Sequence, residues 1–286
     1  TAHWDYLTFD DVSRRLYVTS GDHVAVIDVD GGKQVGTVPN TAGVHGVALV
    51  PSLRRGFVSD GKSDSVTVFD TASLVTIGTI HLTGKKPDAI LFDPASKHVM
   101  TFNGGSNTIS VIDPATSTEV STIDLPGSPE FAATDGDGHV FVNLEDRNAL
   151  ARIDTRSNRV DATFPLDGCE APGGLAMDTQ RHRVFSACQN NVMAITDAVS
   201  GKQVARVPIG DGPDAAGFDP ATARIYSSNG KSGTVTVIER GKEDEYHVVR
   251  TVPTIKSART MAIDHAHATV MVGGSDNGVF RILAVQ

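Results

Sequence analysis

The chain of 286 residues contains 25 Lys and Arg against 34 Asp and Glu, a formal net charge of −9. This acidic balance argues against nonspecific binding to nucleic acid or to an anionic membrane surface. No apolar stretch approaches the roughly 18 residues that a membrane-spanning helix needs. Aromatic residues make up only 6% of the chain and glycines number 28, a composition typical of tightly turned β-sheet.

A single repeated unit recurs along the chain from its first residues. The first copy covers residues 5–10, 15–20 and 26–28, three short runs separated by turn residues. In six copies an acidic residue closes the third run, at spacings of 41 to 43 residues: Asp28, Asp70, Asp113, Asp154, Asp197 and Glu239. A second acidic residue ends the first run at Asp10, Asp93, Asp135, Asp178, Asp219 and Asp264, and Val50-Pro51 replaces it in the second copy. The period matches the roughly 40 to 45 residues of a four-stranded propeller blade.

These elements predict an all-β protein, a seven-bladed β-propeller of four-stranded antiparallel blades. No helical apolar period is sustained for more than a turn, and the seven copies occupy residues 1–286 as a single domain. The last copy supplies three strands, at residues 261–263, 269–272 and 279–283, before the chain ends. Because only Thr1, Ala2 and His3 precede the first copy, we expect blade seven to lack its outer strand and to present an open edge.

Several of these segments carry a family resemblance. Arg-Leu-Tyr-Val-Thr-Ser at 15–20, Asp-Pro-Ala at 93–95, Asp-Pro-Ala-Thr at 219–222 and Gly-Lys-Gln-Val at 201–204 resemble the YVTN repeat, a WD40-like propeller repeat. Over its whole length the chain resembles the bacterial YncE-like group of these proteins. The resemblance implies a seven-bladed propeller, usually extracytoplasmic, on a scaffold that hosts binding proteins, surface-layer repeats, lactonase-like enzymes and lyases.

One repeat position, just before the inner strand of each blade, concentrates ionisable residues. Inner strands line the channel of a propeller, so this position is expected at the channel mouth. We call its occupants the mouth residues and treat them as candidate ligand-binding residues: Asp5, His45, Asp88, Glu130, Gly173, Asp214 and Arg259. Crowded carboxylates raise one another's pKa. A bound cation, a cationic ligand or a salt bridge to Arg259 relieves this, and the alternative is a hydrated ring of solvated or paired charges. Oxygen ligands with one imidazole suit calcium, magnesium or manganese.

A second layer of candidate ligand-binding residues lies where the second strand of each blade ends. It contains Ser20, Asp60, Asn103, Glu145, Cys188 and Asn229. Asp60, Asn103 and Asn229 each precede a glycine, which is also ordinary turn chemistry. Glu145 follows no such pattern and is the stronger candidate for a site residue. With His3, Trp4 and His23, these residues are expected to form the wall of a funnel above the mouth.

The two cysteines belong to the fifth blade, where Cys169 enters the first strand and Cys188 ends the second. Antiparallel strands bring both to the same end, so we expect a disulfide, with a metal-binding pair or two free thiols as alternatives. A disulfide fits an oxidising compartment. The sequence also begins without Met or a charged and apolar leader, as a mature periplasmic or secreted protein does. These features favour an exported protein.

The function that these residues favour is binding or scaffolding, with a small molecule or a cation at the acidic mouth. One alternative is a divalent-metal-dependent lactonase or lyase, in which Asp88, Glu130 and Asp214 hold the metal and His45 and Glu130 are the candidate catalytic residues. A second alternative is a protein-interaction module that uses the open edge of blade seven or the basic residues on the opposite rim. The signatures G-x-S-x-G and H-E-x-x-H are absent, so the residues do not decide between binding and catalysis.

Overall fold

The computed structural model describes residues 4–286 and, within them, every side chain except that of Glu243. Thr1, Ala2 and His3, which the sequence places ahead of the first strand, lie outside the described residues. The described chain contains 27 β-strands and three single-turn 3-10 helices, Pro51–Leu53, Glu145–Arg147 and Lys242–Asp244. Among these residues, no helix has both the length and the apolar character needed to cross a membrane.

The strands form seven sheets in chain order. The first three sheets contain β1 (Trp4–Asp10), β2 (Arg15–Ser20), β3 (His23–Asp28) and β4 (Lys33–Pro39), then β5 (Val44–Val50), β6 (Arg55–Asp60), β7 (Ser65–Asp70) and β8 (Thr76–His81), then β9 (Pro87–Asp93), β10 (His98–Asn103), β11 (Thr108–Asp113) and β12 (Thr118–Asp124). The fourth and fifth contain β13 (Pro129–Thr134), β14 (His139–Leu144), β15 (Ala149–Asp154) and β16 (Arg159–Pro165), then β17 (Pro172–Asp178), β18 (Arg183–Cys188), β19 (Val192–Asp197) and β20 (Gln203–Pro208). The last two contain β21 (Pro213–Asp219), β22 (Arg224–Asn229), β23 (Thr234–Arg240) and β24 (Tyr246–Pro253), then β25 (Thr260–Asp264), β26 (Thr269–Asp276) and β27 (Val279–Val285).

Each sheet is a meander in which every strand pairs with the next one along the chain. This is the blade architecture of a β-propeller, and the predicted all-β, seven-bladed fold is confirmed. Six sheets have four strands, whereas the seventh, within residues 4–286, has three. The prediction that blade seven lacks an outer strand of its own is therefore confirmed for the described chain.

The chain divides into two compact units. The first unit comprises residues through Pro129 together with Gly136–Val140 and Ile153–Asp161, and the second comprises Glu130–Asp135, Phe141–Arg152 and Ala162–Gln286. The buried core of the first unit includes Tyr17 and Phe69, whose ring centroids lie 5.9 Å apart. In the second unit Phe185 stacks on Phe218 at 5.6 Å. Such aromatic pairs add specific contacts to the aliphatic packing of the sheets.

The acidic residues that mark the repeat have structural roles in turns. The carboxylate of Asp70 accepts the backbone N–H groups of Ala72 at 3.0 Å and Ser73 at 2.8 Å, and Asp113 and Asp154 accept equivalent bonds. The backbone bond from Ser73 is the main reason that the pKa of Asp70 falls to about 2. A carboxylate here closes the turn between the third and fourth strands, which explains why it recurs with the blade period.

Two arginines of the predicted basic surface bond within the first unit. Arg15 Nη1 donates to the carbonyl of Thr71 at 2.8 Å, and Arg55 Nη1 donates to the carbonyl of Pro114 at 2.6 Å. Each bond joins the second strand of one sheet to a turn of the following sheet. At these positions the basic side chains hold neighbouring blades together, which accounts for their recurrence without a partner molecule.

Candidate functional site

The mouth residues lie at the start of the inner strands, and in five of these strands (β1, β5, β9, β17 and β21) they stand at a bulge. The sequence places them just before that strand, but in six sheets the structure makes them its second residue, and Arg259 alone precedes its strand. The difference arises because the preceding residue already pairs with the neighbouring strand, as Val44 does with Asp60. The register then shifts between Val44 and Val47, and β1, β9, β17 and β21 show the same shift. A bulge of this kind changes the direction of the side chain it carries.

Serine hydroxyls hold the bulged backbone in place. Ser59, next to the end of β6, accepts the N–H of Gly46 at 2.9 Å and donates to the carbonyl of Asp88 at 2.5 Å. In the second unit, Ser228 accepts the N–H of Ala215 and donates to the carbonyl of Arg259. Each serine therefore connects the inner strand of one sheet to the mouth residue of the next, and fixes the position of that residue.

Three mouth residues from consecutive inner strands converge in the first unit. His45 Nδ1 lies 2.7 Å from Asp5 Oδ2 and 3.6 Å from Asp88 Oδ1. One candidate ligand atom from each side chain lies within 4.8 Å of the others, and no other group of three or more His, Cys, Asp or Glu in the described chain does so. The three side chains are 20 to 33% exposed. The cluster can therefore hold either a proton on His45 between two carboxylates or a metal ion in its place.

Burial and charge act in opposite directions on this cluster. Burial lowers the pKa of His45, but the hydrogen bond to Asp5 and the charges of Asp88 and Asp5 outweigh it, so the pKa lies above its ordinary value. Burial also raises the pKa of Asp88, and the charge of His45 and a hydrogen bond from the Tyr6 hydroxyl only partly offset this effect. The imidazolium form of His45 is thus the one that the two carboxylates stabilise.

The remaining charged mouth residues belong to the second unit. Arg259 Nε lies 3.7 Å from Asp214 Oδ2, an example of the salt bridge that the sequence offers as one way to balance the mouth carboxylates. Glu130 is half-buried in β13. Of the predicted metal ligands Asp88, Glu130 and Asp214, only Asp88 belongs to the convergent group of the first unit. The metal-binding roles of Glu130 and Asp214 and the catalytic role of Glu130 stay predictions.

Two residues predicted for the ligand wall lie inside their sheets instead. Asn103 is completely buried. Its Nδ2 donates to Thr108 and Ser110 at 3.1 and 3.0 Å, and its Oδ1 accepts from Thr101 at 3.0 Å. Asn229, also completely buried, makes equivalent bonds in the sixth sheet. Because the Nδ2 and Oδ1 atoms of each amide form hydrogen bonds within the sheet, these asparagines stabilise their turns and offer no atom to a ligand.

The other wall positions are mixed in character. Glu145 is exposed in the 3-10 helix Glu145–Arg147, so a ligand could reach it, and its role stays a prediction. His3 lies outside the described residues. Cys169 and Cys188 form a disulfide with 5.3 Å between their Cα atoms, which rules out the alternatives of two free thiols and a metal-binding pair.

Three neighbours of the cluster were not predicted from the sequence. The Tyr6 hydroxyl donates to Asp88, Lys86 lies close enough to lower the pKa of His45 in part, and Lys62 lines the same groove as His45. Tyr6 and Lys86 stand one and two residues from mouth residues in the sequence. The sequence shows that these two residues are near the mouth residues. It does not show where their side chains point, because the bulges that set those directions have no signature in a single sequence.

Solved structures of very different sequence share this fold. A chain of Kuenenia stuttgartiensis hydrazine synthase superimposes with a TM-score of 0.85 at 19% identity, over 98% of this chain and 95% of that chain. The 286-residue protein is therefore a seven-bladed β-propeller. A chain of a mitotic checkpoint complex gives a TM-score of 0.85 at 14% identity, over 98% of this chain and 86% of that one. At such identities the likeness shows the fold alone. No family model and no curated protein matches the chain.

Proposed function

We propose that this protein is an extracytoplasmic binding propeller of the YVTN-repeat, YncE-like kind that binds a divalent cation at Asp5, His45 and Asp88. The observation that carries the proposal is the convergence of three ligand atoms within 4.8 Å from three consecutive inner strands. Their backbones are fixed by sheet pairing and by bonds such as that from Ser59 to Asp88. Ligands held on rigid strands bind without a large ordering cost.

Manganese is the favoured ion among the predicted calcium, magnesium and manganese. Calcium takes six to eight oxygen ligands, and magnesium keeps most of its water shell. The cluster offers two carboxylates and one imidazole nitrogen, a mixed set that suits manganese better. Because the metal must displace the proton that the carboxylates stabilise on His45, its affinity should rise with pH.

The extracytoplasmic assignment is supported by the disulfide between Cys169 and Cys188. Disulfides persist in the periplasm and outside the cell and are rare in the cytosol. Both cysteines are buried, so the bond is part of the core of its blade.

Titration of the protein with Mn²⁺ by calorimetry tests the cation site. We expect binding to the unaltered protein and a loss of affinity of at least about tenfold for Asp88→Asn, since even residues outside the first coordination sphere cost that much. The substitution removes one charge and keeps the shape of the side chain, so the fold should survive. Its melting temperature in the absence of metal is the check on folding.

Glu130→Gln and Asp214→Asn are the matched controls, because they occupy the same repeat position in the other unit. Unchanged Mn²⁺ affinity in both assigns the site to Asp5, His45 and Asp88, whereas weakening in both favours the metal set predicted from the sequence. A raised melting temperature of Asp88→Asn with unaltered Mn²⁺ binding would show that the carboxylate only repels its neighbours, and the proposal would fail.

A second candidate function is hydrolysis of a lactone, and one observation favours it. The bond between Asp5 and Nδ1 orients the imidazole of His45, and Nε2 has no hydrogen-bond partner in the described chain. An oriented imidazole with a free nitrogen at a groove is a geometry for a general base. Assays with small lactones should then show turnover that His45→Gln lowers by about 100-fold or more. Absence of turnover with and without Mn²⁺ leaves the binding function alone.

A further inference from the structure

A groove of about 310 Å³ lies beside the Asp5, His45 and Asp88 cluster in the first unit. Its lining includes Gly21, Gly43, Gly61, Lys62, Lys86 and the edge of His45. Glycines leave room for a ligand to approach the backbone, so the lysines and the imidazole are the functional groups that a ligand meets.

The ammonium groups of the two groove lysines form no ion pair with the described residues. Within residues 4–286, no carboxylate lies within ion-pair distance of the ammonium group of Lys62 or Lys86, and both side chains are exposed. Their neighbour Lys85 contrasts with them, since its Nζ lies 3.1 Å from Asp64 Oδ2. The groove therefore presents two ammonium groups that form no direct ion pair, and Lys86 also lies close enough to Asp88 to lower the pKa of its carboxyl.

The stems of these lysines pack on glycine backbone. A Cβ atom on Gly43 would lie 2.5 Å from Cγ of Lys62, and one on Gly105 would lie 3.0 Å from Cγ of Lys86. A side chain at Gly43 would displace the stem of Lys62, and one at Gly105 would make a tight contact with the stem of Lys86. Packing of the methylene groups restricts where each ammonium group can go.

His45 adds a third donor from its second ring nitrogen. Nδ1 faces the carboxylates, while the Nε2 edge faces Gly61, where an added Cβ would lie 2.7 Å from Nε2. Nε2 carries a proton when His45 is an imidazolium, and it also carries one when a metal occupies Nδ1. In either of these two states Nε2 is a hydrogen-bond donor.

We propose that this groove is a binding site for a small oxyanion, a carboxylate or a phosphate, held by Lys62, Lys86 and Nε2 of His45. The site uses the opposite edge of the imidazole from the cation site and does not depend on it. Lysine ammonium groups bind carboxylate and phosphate as point charges, so the two share one recognition chemistry.

The second unit contains an equivalent groove that serves as an internal comparison. It is lined by Gly212, Gly230, Lys231, Asp214 and Arg259, at the repeat positions of the first groove and its surroundings. Here the cations have acidic neighbours: Lys231 Nζ lies 4.0 Å from Asp211 Oδ1, and Arg259 Nε lies 3.7 Å from Asp214 Oδ2. The cations of the groove in the second unit therefore lie within ion-pair distance of a carboxylate, whereas Lys62 and Lys86 in the first unit do not.

Calorimetric titration with inorganic phosphate and with succinate, in the absence of metal, tests the proposal. We expect one of these anions to bind, and Lys62→Gln and Lys86→Gln each to weaken it by about tenfold, as expected for loss of one charged hydrogen bond. Lys231→Gln, the equivalent substitution in the second unit, should leave the affinity within about twofold. The anion that binds more tightly identifies the class of ligand.

A second readout places the anion at His45. The ring signals of His45, assigned by comparison with His45→Gln, should shift as the anion is added, and in Lys62→Gln the same shift should require about tenfold more anion. The proposal is overturned if neither anion binds. It is also overturned if Lys231→Gln weakens binding as much as Lys62→Gln, because equal losses would mean that the anion responds to the net charge of the protein and not to this groove. Because Mn²⁺ binding is measured separately on Asp88→Asn, failure of either site leaves the other standing.

Discussion

Replacing Asp60 with Asn is expected to stabilise the protein at neutral and higher pH and to remove a pH dependence that the native protein shows. Asp60 ends β6 and is 1% exposed. Its Oδ2 accepts from Thr67 Oγ1 at 2.6 Å, but its Oδ1 has no hydrogen-bond partner in the described chain. Burial raises the pKa of Asp60 to about 7. A buried carboxylate with a hydrogen bond to only one of its two oxygens destabilises the fold when it is charged.

The sign of the effect follows from the two pKa values of Asp60. The folded protein retains the proton up to a pKa of about 7, whereas the unfolded chain loses it near 3.8. The contribution to stability is fully present below the unfolded pKa, decreases as the pH rises between the two values, and is lost above the folded pKa. The difference amounts to up to about 4 kcal/mol. Urea titrations at low and at slightly alkaline pH measure it.

Other blades show why Asn suits this position. Asn103 stands there in the third sheet, and its Nδ2 donates to Ser110 at 3.0 Å, the position that Thr67 has in the second sheet. Thr101 donates to Oδ1 of Asn103 at 3.0 Å, whereas Val58 has the corresponding position in the second sheet and carries no hydroxyl. The missing hydroxyl explains why Oδ1 of Asp60 has no partner.

The converse substitution Asn103→Asp is the matched test. It should lower stability at neutral pH and introduce a decline with rising pH, since an acid then occupies the same buried position. Asp60→Asn should show the opposite change in the same titrations. Parallel pH profiles for the native protein and Asp60→Asn would mean that the pKa of Asp60 is not raised by burial, and the expected stabilisation would then have no cause.

The repeat made the fold predictable from one sequence. Asp70, Asp113 and Asp154 recur because each closes the same turn with backbone hydrogen bonds, and a requirement of the turn appears in every copy. The seven blades and the three-stranded last sheet follow from that period and from the strands that the last copy contains. The YVTN-like assignment rests on resemblance alone, because no family model and no curated protein matches the chain and the two solved structures named above are only 19% and 14% identical to it.

The site was less predictable, because alignment of repeats gives positions and not directions. Alignment placed Asp5, His45 and Asp88 at one position, and the structure brings them together. The same alignment also placed Asn103 and Asn229 in a ligand wall, although both amides turn into their sheets. Hydrogen-bonding partners five and seven residues further on decide this direction, and such partners become recognisable only when the strands are paired.

Removal of the disulfide is the other change from which we expect a large effect. The bond joins Cys169 and Cys188 across a separation of 19 residues. A cross-link that closes a loop of this size stabilises the fold by about 3 kcal/mol, mainly by restricting the unfolded chain. Cys169→Ala with Cys188→Ala should therefore lower the free energy of unfolding by about that amount. Both side chains lie among buried residues such as Phe141 and Leu175, so lost packing adds to the effect.

Reduction of the native protein separates the cross-link from the packing. In urea titrations, dithiothreitol should lower the free energy of unfolding of the native protein by about 3 kcal/mol. It should leave that of the double alanine variant unchanged, because the variant has no disulfide to reduce. The reduced native protein keeps both sulfur atoms, so any further loss in the alanine variant measures packing in the blade. Thiol titration of the unfolded, unreduced protein gives the independent check. Two reactive thiols there would contradict both the bond and the extracytoplasmic assignment that it supports.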